Sequence, residues 1–161
     1  MISLSLDIIN ELSPYEVISS GGGLWFVTEN GIQYSVHFTE EFSLGGCETY
    51  QFMFSKLTTQ HTAFDKKIRQ TLIVIIEEFF RANHNVLLYI CDTSDNREAF
   101  RNRLFANWFK KFAESGAYEF RSANTLVEGE GFYAAIIVER KNPKLQDVLD
   151  DFDRTAKELA K

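Results

Sequence analysis

Two cysteines, two prolines and three histidines are all that 161 residues hold of those types. Each scarcity removes a class of protein. Cys47 and Cys91 lie far apart and share no CxxC-type spacing, so the chain is not a disulfide framework. They read as small buried thiols in a reducing compartment. His37, His61 and His84 fall in separate elements, with no paired-His or HExxH pattern, so no metal site is expected. Apolar runs are short. The longest purely aliphatic one is Leu72 to Ile76, far below the roughly 20 residues that span a bilayer. The opening MISLSLDIINEL has no basic segment and no long apolar segment, so it does not read as a secretory signal. No GxSxG, P-loop or GxGxxG motif opens a helix; the glycines of GGG and GEG lie before or between strands.

Positive charge is also in deficit. Lys and Arg total 17 against 23 Asp and Glu, giving a net charge of -6. A nucleic-acid footprint would be basic, and an anionic membrane surface would repel this chain, so neither is an expected partner. These features together point to a soluble cytoplasmic protein.

What the chain does have is aromatic rings. Fifteen Phe bring the aromatic fraction to 14%, within 45% hydrophobic residues. Most of those rings belong in a core, because they bury the most apolar area per residue. A chain of this length buries roughly two thirds of its unfolded surface without a staple. The expectation is a single domain over 1–161. Residues 1–23 would be a peripheral arm ending in a flexible Gly21-Gly22-Gly23 joint, with 24–161 as the core.

The run LWFVTENGIQYSVHF predicts a hairpin, since Asn30-Gly31 is the strongest short turn signal and asks for positive φ at both positions. A turn there pairs Val27 with Tyr34 and Trp25 with Val36 on one buried face. Thr49 to Phe54 alternates as a third strand, joined through Ser43-Leu44-Gly45-Gly46. Thr62 to Asp65 has capping-box spacing. Phe64, Ile68, Leu72, Ile75, Ile76 and Phe79 then recur at three or four residues, predicting a buried helix that ends near Asn83. Val86 to Ile90 reads as a central strand covered on both faces. Asp95 caps an aromatic-rich helix that runs to about Ser115, with Gly116 past its end. Tyr118–Val127 and Phe132–Glu139 follow as strands around Gly129-Glu130-Gly131. Asn142-Pro143 opens a last helix with a stripe of Leu145, Val148, Leu149, Phe152 and Leu159.

The resulting order is β-β-β-α-β-α-β-β-α. It predicts an α+β fold: a mixed, largely antiparallel sheet with helices packed on it. The step from the third strand through the buried helix to Val86–Ile90 should be a parallel crossover.

One stretch could carry chemistry. On a helical wheel Arg97 and Arg101 share a face in the first turns of the aromatic helix, where its start meets Asp92 and Asp95. Two guanidiniums and two carboxylates would then gather at the carboxyl end of a central strand. Open sheets tend to bind ligands there, and a helix start favours an anion. The functional reading is a small-anion or phosphate site formed by Asp92, Asp95, Arg97 and Arg101. The structural reading is an ion-pair cluster with Asp95 only capping, which is the commoner use of charge at a helix start. No catalytic residue is assigned, and Cys91 beside Asp92 is poorly placed to ionise.

The order of elements resembles the acyl-CoA-dependent N-acetyltransferase fold, in which a β-meander is followed by helix, strand, helix and two strands. In DTSDNREAFRNRLFANWF, Asn96 and Phe105 would be loose counterparts of that family's Asn and aromatic. The resemblance implies acetyl-CoA as cofactor. The segment KLTTQHTAFDKK departs from it, lacking the glycine loop that carries the phosphates. The runs GIQYSVHF, YQFMF, LLYICDTSDNREAFRNRLFANWF and IIVERKNP resemble a Bacteroidetes family of small uncharacterised proteins, over about residues 24 to 150. That resemblance implies no activity. The function expected is a non-catalytic binding or protein-interaction module, with no cofactor and with a protein or a small anion as partner. The alternative is an acetyltransferase-like protein, degenerate in acyl-CoA binding.

Overall fold

The computed structural model describes residues 2–57, 65–92, 106–114 and 116–159. In chain order the elements are α1 (Leu6–Leu12), β1 (Ile18–Ser20), β2 (Gly23–Val27), β3 (Gln33–Leu44), β4 (Cys47–Lys56), α2 (Lys66–Ala82), β5 (Val86–Asp92), α3 (106–113), β6 (Tyr118–Val127), β7 (Glu130–Glu139) and α4 (Leu145–Leu159). The strands form one seven-stranded sheet in the order β1-β2-β3-β4-β5-β7-β6. β4 and β5 run parallel, Thr49–Gln51 against Val86–Leu88, and the β1–β2, β2–β3, β5–β7 and β6–β7 ladders are antiparallel. The fold is therefore mixed α+β and largely antiparallel, as the sequence predicts, with α1 and β1 added in front. Packing divides the chain into two compact units. The first is Met1–Thr39 with Phe52–His84, and the second is Glu40–Gln51 with Asn85–Lys161.

In the first unit α2 is the main helix. Asp65, not Thr62, is its N-cap: a carboxylate oxygen accepts from the Ile68 amide at 2.7 Å. The N-cap thus lies three residues beyond the expected one, without a capping box because Ile68 stands at its third position, and the helix starts at Lys66. Ile68, Leu72, Ile75, Ile76 and Phe79 face inward at helical spacing. Asn83 closes the helix, its amide donating to the Phe79 carbonyl at 3.1 Å. The LIVII run is helical, because a β-branched run at helical period with both ends capped gains more from burying one face than it loses in propensity.

The hairpin β2–β3 differs from expectation by one residue. Its ladder pairs Leu24 with Val36, Phe26 with Tyr34 and Val27 with Gln33. The loop is three residues, Glu29-Asn30-Gly31, closed by Thr28 N–H to the Ile32 carbonyl at 2.9 Å and Gly31 N–H to the Thr28 carbonyl at 3.0 Å. Only Gly31 takes positive φ, at 78°. One extra loop residue moves the whole strand to its other face. Leu24 and Phe26 are consequently the core residues, while Val27 is exposed and Trp25 half-buried.

The arm also differs from expectation. Gly21 and Gly22, at φ 61° and 80°, form the tight turn of hairpin β1–β2 rather than a loose joint. Ile9, Tyr15 and Val17 are buried. Residues 2–17 are tied to α2 by polar contacts. Ser3 N–H donates to Asn83 and Ser5 N–H to Glu78, at 3.0 and 2.7 Å, and the Tyr15 hydroxyl donates to Asp65 at 2.7 Å. Burial and the neighbouring Asp65 carboxylate push the Tyr15 hydroxyl up to about 12.

In the second unit β5 is interior, between β4 and β7. Val86, Leu88, Ile136 and Val138 form one sheet face, and Val148, Leu149 and Phe152 of α4 pack on it. The other face carries Tyr89 and Phe120, both in ring contact with Phe109 of α3. β6 and β7 are joined by Glu128-Gly129, both at positive φ, so β7 starts at Glu130 rather than Phe132. At the β3–β4 turn, Gly45 N–H donates to Asp151 of α4 at 2.8 Å. α4 begins at Leu145, with Asn142 accepting from the Lys144 amide at 2.9 Å.

Candidate functional site

The carboxyl end of β5 is where the sequence gathers Asp92, Asp95, Arg97 and Arg101. The structure ends β5 at Asp92, whose backbone pairs with Phe132 of β7. Asp95, Arg97 and Arg101 lie outside the described residues, as do Asn96 and Phe105. β5 is parallel to β4 on one side and antiparallel to β7 on the other, so strand direction changes at β5.

One further feature sits on this strand end. Cys91 pairs with Tyr133, and Tyr133 pairs with Asn124 across the next ladder. Burial raises the Tyr133 hydroxyl above its ordinary 10.0, a hydrogen bond with Ser122 lowers it in part, and the Cys91 sulfur adds to the rise. Tyr133 is therefore a neutral hydroxyl at physiological pH that can donate or accept. The sequence reading did not single it out. Tyr133 is the one hydroxyl in the run FYAAIIV, but which residue it faces depends on a ladder register that local pattern does not supply.

The remaining titratable clusters are structural. The Arg81 guanidinium beside Glu78 holds that buried carboxyl below its usual range, helped by the Ser5 amide. The Gly45 amide lowers Asp151, with Arg154 adding to it. Along α4, Asp150, Asp153, Arg154, Lys157 and Glu158 border a depression of about 380 Å³. Arg121 pairs with Asp153, so this is a gap between solvated side chains. His37 lies over Gly23 and edge-on to Trp25 at 6.3 Å. Among the described residues no three His, Cys, Asp or Glu side chains are placed to hold a metal ion. No helix among them is long and apolar enough to cross a membrane.

A family of unknown function (DUF6169) matches residues 64–154. The chain belongs to this family. The matched region runs from just before α2 to within α4, and it includes Asp92, Asp95, Arg97 and Arg101. No curated protein and no solved structure matches the chain.

Proposed function

We propose that this DUF6169 protein is a non-catalytic binding or interaction module, acting in the cytoplasm as one domain over 1–161. Its small-ligand site is the carboxyl end of β5, where Asp92, Asp95, Arg97 and Arg101 receive an anion. The observation that carries this reading is the change of strand direction at β5, directly before the segment holding both arginines. Ligands of open sheets collect at such points, where connections leave in opposite directions and free a crevice. Arg offers a planar fork of donors suited to phosphate or carboxylate oxygens, and Asp92 and Asp95 would orient it. The Bacteroidetes origin belongs to the same reading and is supported by the sequence resemblance alone.

The test is calorimetry of the full chain with inorganic phosphate and with acetyl-CoA. Saturable phosphate binding that disappears in Arg97→Ala and Arg101→Ala supports the anion site. Phosphate binding unchanged in both variants overturns it.

An acetyltransferase-like activity is the second reading. It is favoured by the order of elements, a meander followed by helix, parallel strand, helix and hairpin. This is an argument from fold alone, and folds host many chemistries. Acetyl-CoA binding lost in Arg97→Ala would favour it. Absence of binding at millimolar acetyl-CoA would end it.

A further inference from the structure

The seven-stranded sheet has two edge strands, β1 and β6. A strand edge is an open row of N–H and C=O groups, and proteins blunt it with shortness, bulges, Pro or Lys. β1 is blunted by its length of three residues. β6 carries none of these devices. It runs ten residues, YEFRSANTLV, without Pro or Lys. Its ladder with β7 is unbroken from Tyr118–Glu139 to Val127–Glu130, so it has no bulge. Among the described residues no strand pairs with its outer side.

One bond fixes the direction of each backbone group. Arg140 N–H donates to the Ala117 carbonyl at 3.0 Å, which makes Ala117 and Arg140 a hydrogen-bonded pair in line with that ladder. Such pairs alternate with non-bonded ones along antiparallel strands. Glu119, Arg121 and Ala123 therefore direct their backbone groups toward β7, and Tyr118, Phe120, Ser122 and Asn124 direct theirs outward. Side chains alternate in the same way between the two faces. Tyr118 and Phe120 meet Phe112 and Phe109 of α3. On the opposite face Arg121 pairs with Asp153 of α4, and Glu119 accepts from Arg140 at 3.0 Å.

The second observation is the charge order Glu119-Phe120-Arg121. Two antiparallel copies of β6 with a two-fold axis at Phe120 set Glu119 opposite Arg121 on each side, Tyr118 opposite Ser122, and Phe120 opposite itself. Opposite charges facing one another stabilise a strand pair. An axis at Glu119 or at Arg121 opposes like charges instead. The Phe120 axis also joins Arg140 and Glu119 of one copy to Arg121 and Asp153 of the other in a line of alternating sign. The strand is thus complementary to itself in the orientation a two-fold contact requires. A strand of unrelated sequence meets Glu119 and Arg121 without that match.

We infer that the outer edge of β6 is a self-association edge, where β6 of a second copy pairs antiparallel about a two-fold axis at Phe120, with Glu119 of each copy facing Arg121 of the other. This rests on the interaction-module reading and names one partner for it.

The experiment is sedimentation velocity on the full chain from about 1 to about 100 μM, a range that spans ordinary dimer affinities. The wild type should move from monomer to dimer. Arg121→Glu and Glu119→Arg each oppose like charges at the seam and should weaken dimerisation at least about tenfold. An equimolar mixture of the two variants sets every Glu opposite an Arg again, so the mixed dimer should form more tightly than either variant's own. Loss of the pairs with Asp153 and Arg140 is common to the separate and mixed samples, so it does not produce that recovery. Ser122→Pro removes an outward N–H and leaves the bonds to β7, and should abolish the dimer. Ser122→Ala keeps the N–H and should dimerise like the wild type. Urea unfolding establishes that each variant is folded; should the proline variant unfold, the mixture decides alone. A wild type that stays monomeric overturns the inference and leaves the edge to a strand of another protein. So does a dimer retained by folded Ser122→Pro, or a mixture no tighter than its components. None of these results touches the phosphate calorimetry, which tests the anion site separately.

Discussion

The inner sheet face of the first unit and the α4-covered face of the second carry different kinds of side chain. In the first, rings stack in sequence: Tyr15 on Phe26, Phe26 on Tyr34, Tyr34 on Phe54, with Phe38 lying parallel to Phe79 of α2 at 5.1 Å. In the second, the face under α4 is aliphatic, with Val86, Leu88, Ile136 and Val138 against Val148 and Leu149, and small Ala123 and Ala134 at its margin. Rings fill space with few large pieces, so each one supports several neighbours. Aliphatic groups fill it with many small pieces, and the elements can then approach until backbones nearly touch. Gly45 shows the limit: a Cβ there would lie 2.5 Å from the backbone of Asp147 and Val148. The lesson is that the inner sheet face of the first unit depends on individual rings and the α4 face of the second on closeness of fit.

Truncation of a ring is the strongest way to break this contrast. Phe79 is fully buried and touches both Phe38 and Phe80. Phe79→Ala should cost about 3–5 kcal/mol, and Leu149→Ala in α4 about 2–4, as large-to-small core substitutions do. Urea unfolding of both variants measures this. Equal losses, or a larger loss for Leu149→Ala, would mean that the rings have no special weight.

Two glycines sharpen the comparison next. Gly45 has φ 56° and no room for a methyl; Gly31 has φ 78° and open space around its Cβ position. Gly31→Ala should cost about 1 kcal/mol, the strain of left-handed backbone alone. Gly45→Ala adds a backbone collision and should cost about 3. Thermal melts that rank them the other way would show that the β3–β4 turn relaxes freely away from α4.

Much of this architecture was legible in the sequence, and the gaps share one cause. α2 was readable because Ile68 to Phe79 repeat at helical spacing; its start was misplaced because Thr62 and Asp65 are both good caps. β5, β6 and the stripe of α4 were readable from runs of their own residues. The register of β2–β3 was not, because Asn30-Gly31 serves a two-residue and a three-residue loop equally well, and only packing of Leu24 and Phe26 decides between them. β1 is three exposed residues with no pattern of its own. The docking of the arm depends on Glu78 and Asn83, more than seventy residues from Ser5 and Ser3. At the candidate site, β5 runs to Asp92, two residues past the Ile90 at which its apolar run ends, while Tyr133 arrives beside Cys91 through a ladder that no local signal announces.

Acid should separate the units further. The Glu78 carboxyl is buried and held below its ordinary 4.5, first by Arg81 and also by the Ser5 amide. A carboxylate lowered on folding stabilises the fold above its unfolded value, and that stability is lost as pH falls through its folded value. Asp151 in the second unit is lowered too, but lies on α4 with its side chain 21% exposed. Glu78→Gln should therefore cost about 2 kcal/mol at neutral pH, as loss of a charged hydrogen-bond partner does. It should also flatten the fall of stability below pH 4.5. Stability measured from pH 7 to 3 tests both; an unchanged pH profile would assign the acid response elsewhere.

The smallest effect concerns the cap of α1. Ser5 accepts from the Ile8 amide at 3.3 Å, a long bond at the start of a seven-residue helix. Ser5→Ala keeps the backbone bond to Glu78 and removes only this cap, which should cost about 0.5–1 kcal/mol. A helix this short holds through packing of Ile9 and the clasp on α2, not through propensity. Amide exchange should therefore quicken in α1 while exchange in β5 and β7 of the second unit stays unchanged. Faster exchange in both units would mean that the arm's contribution is shared by the whole chain, and the contrast drawn between ring-built and close-fitted cores would then describe composition without describing independent stability.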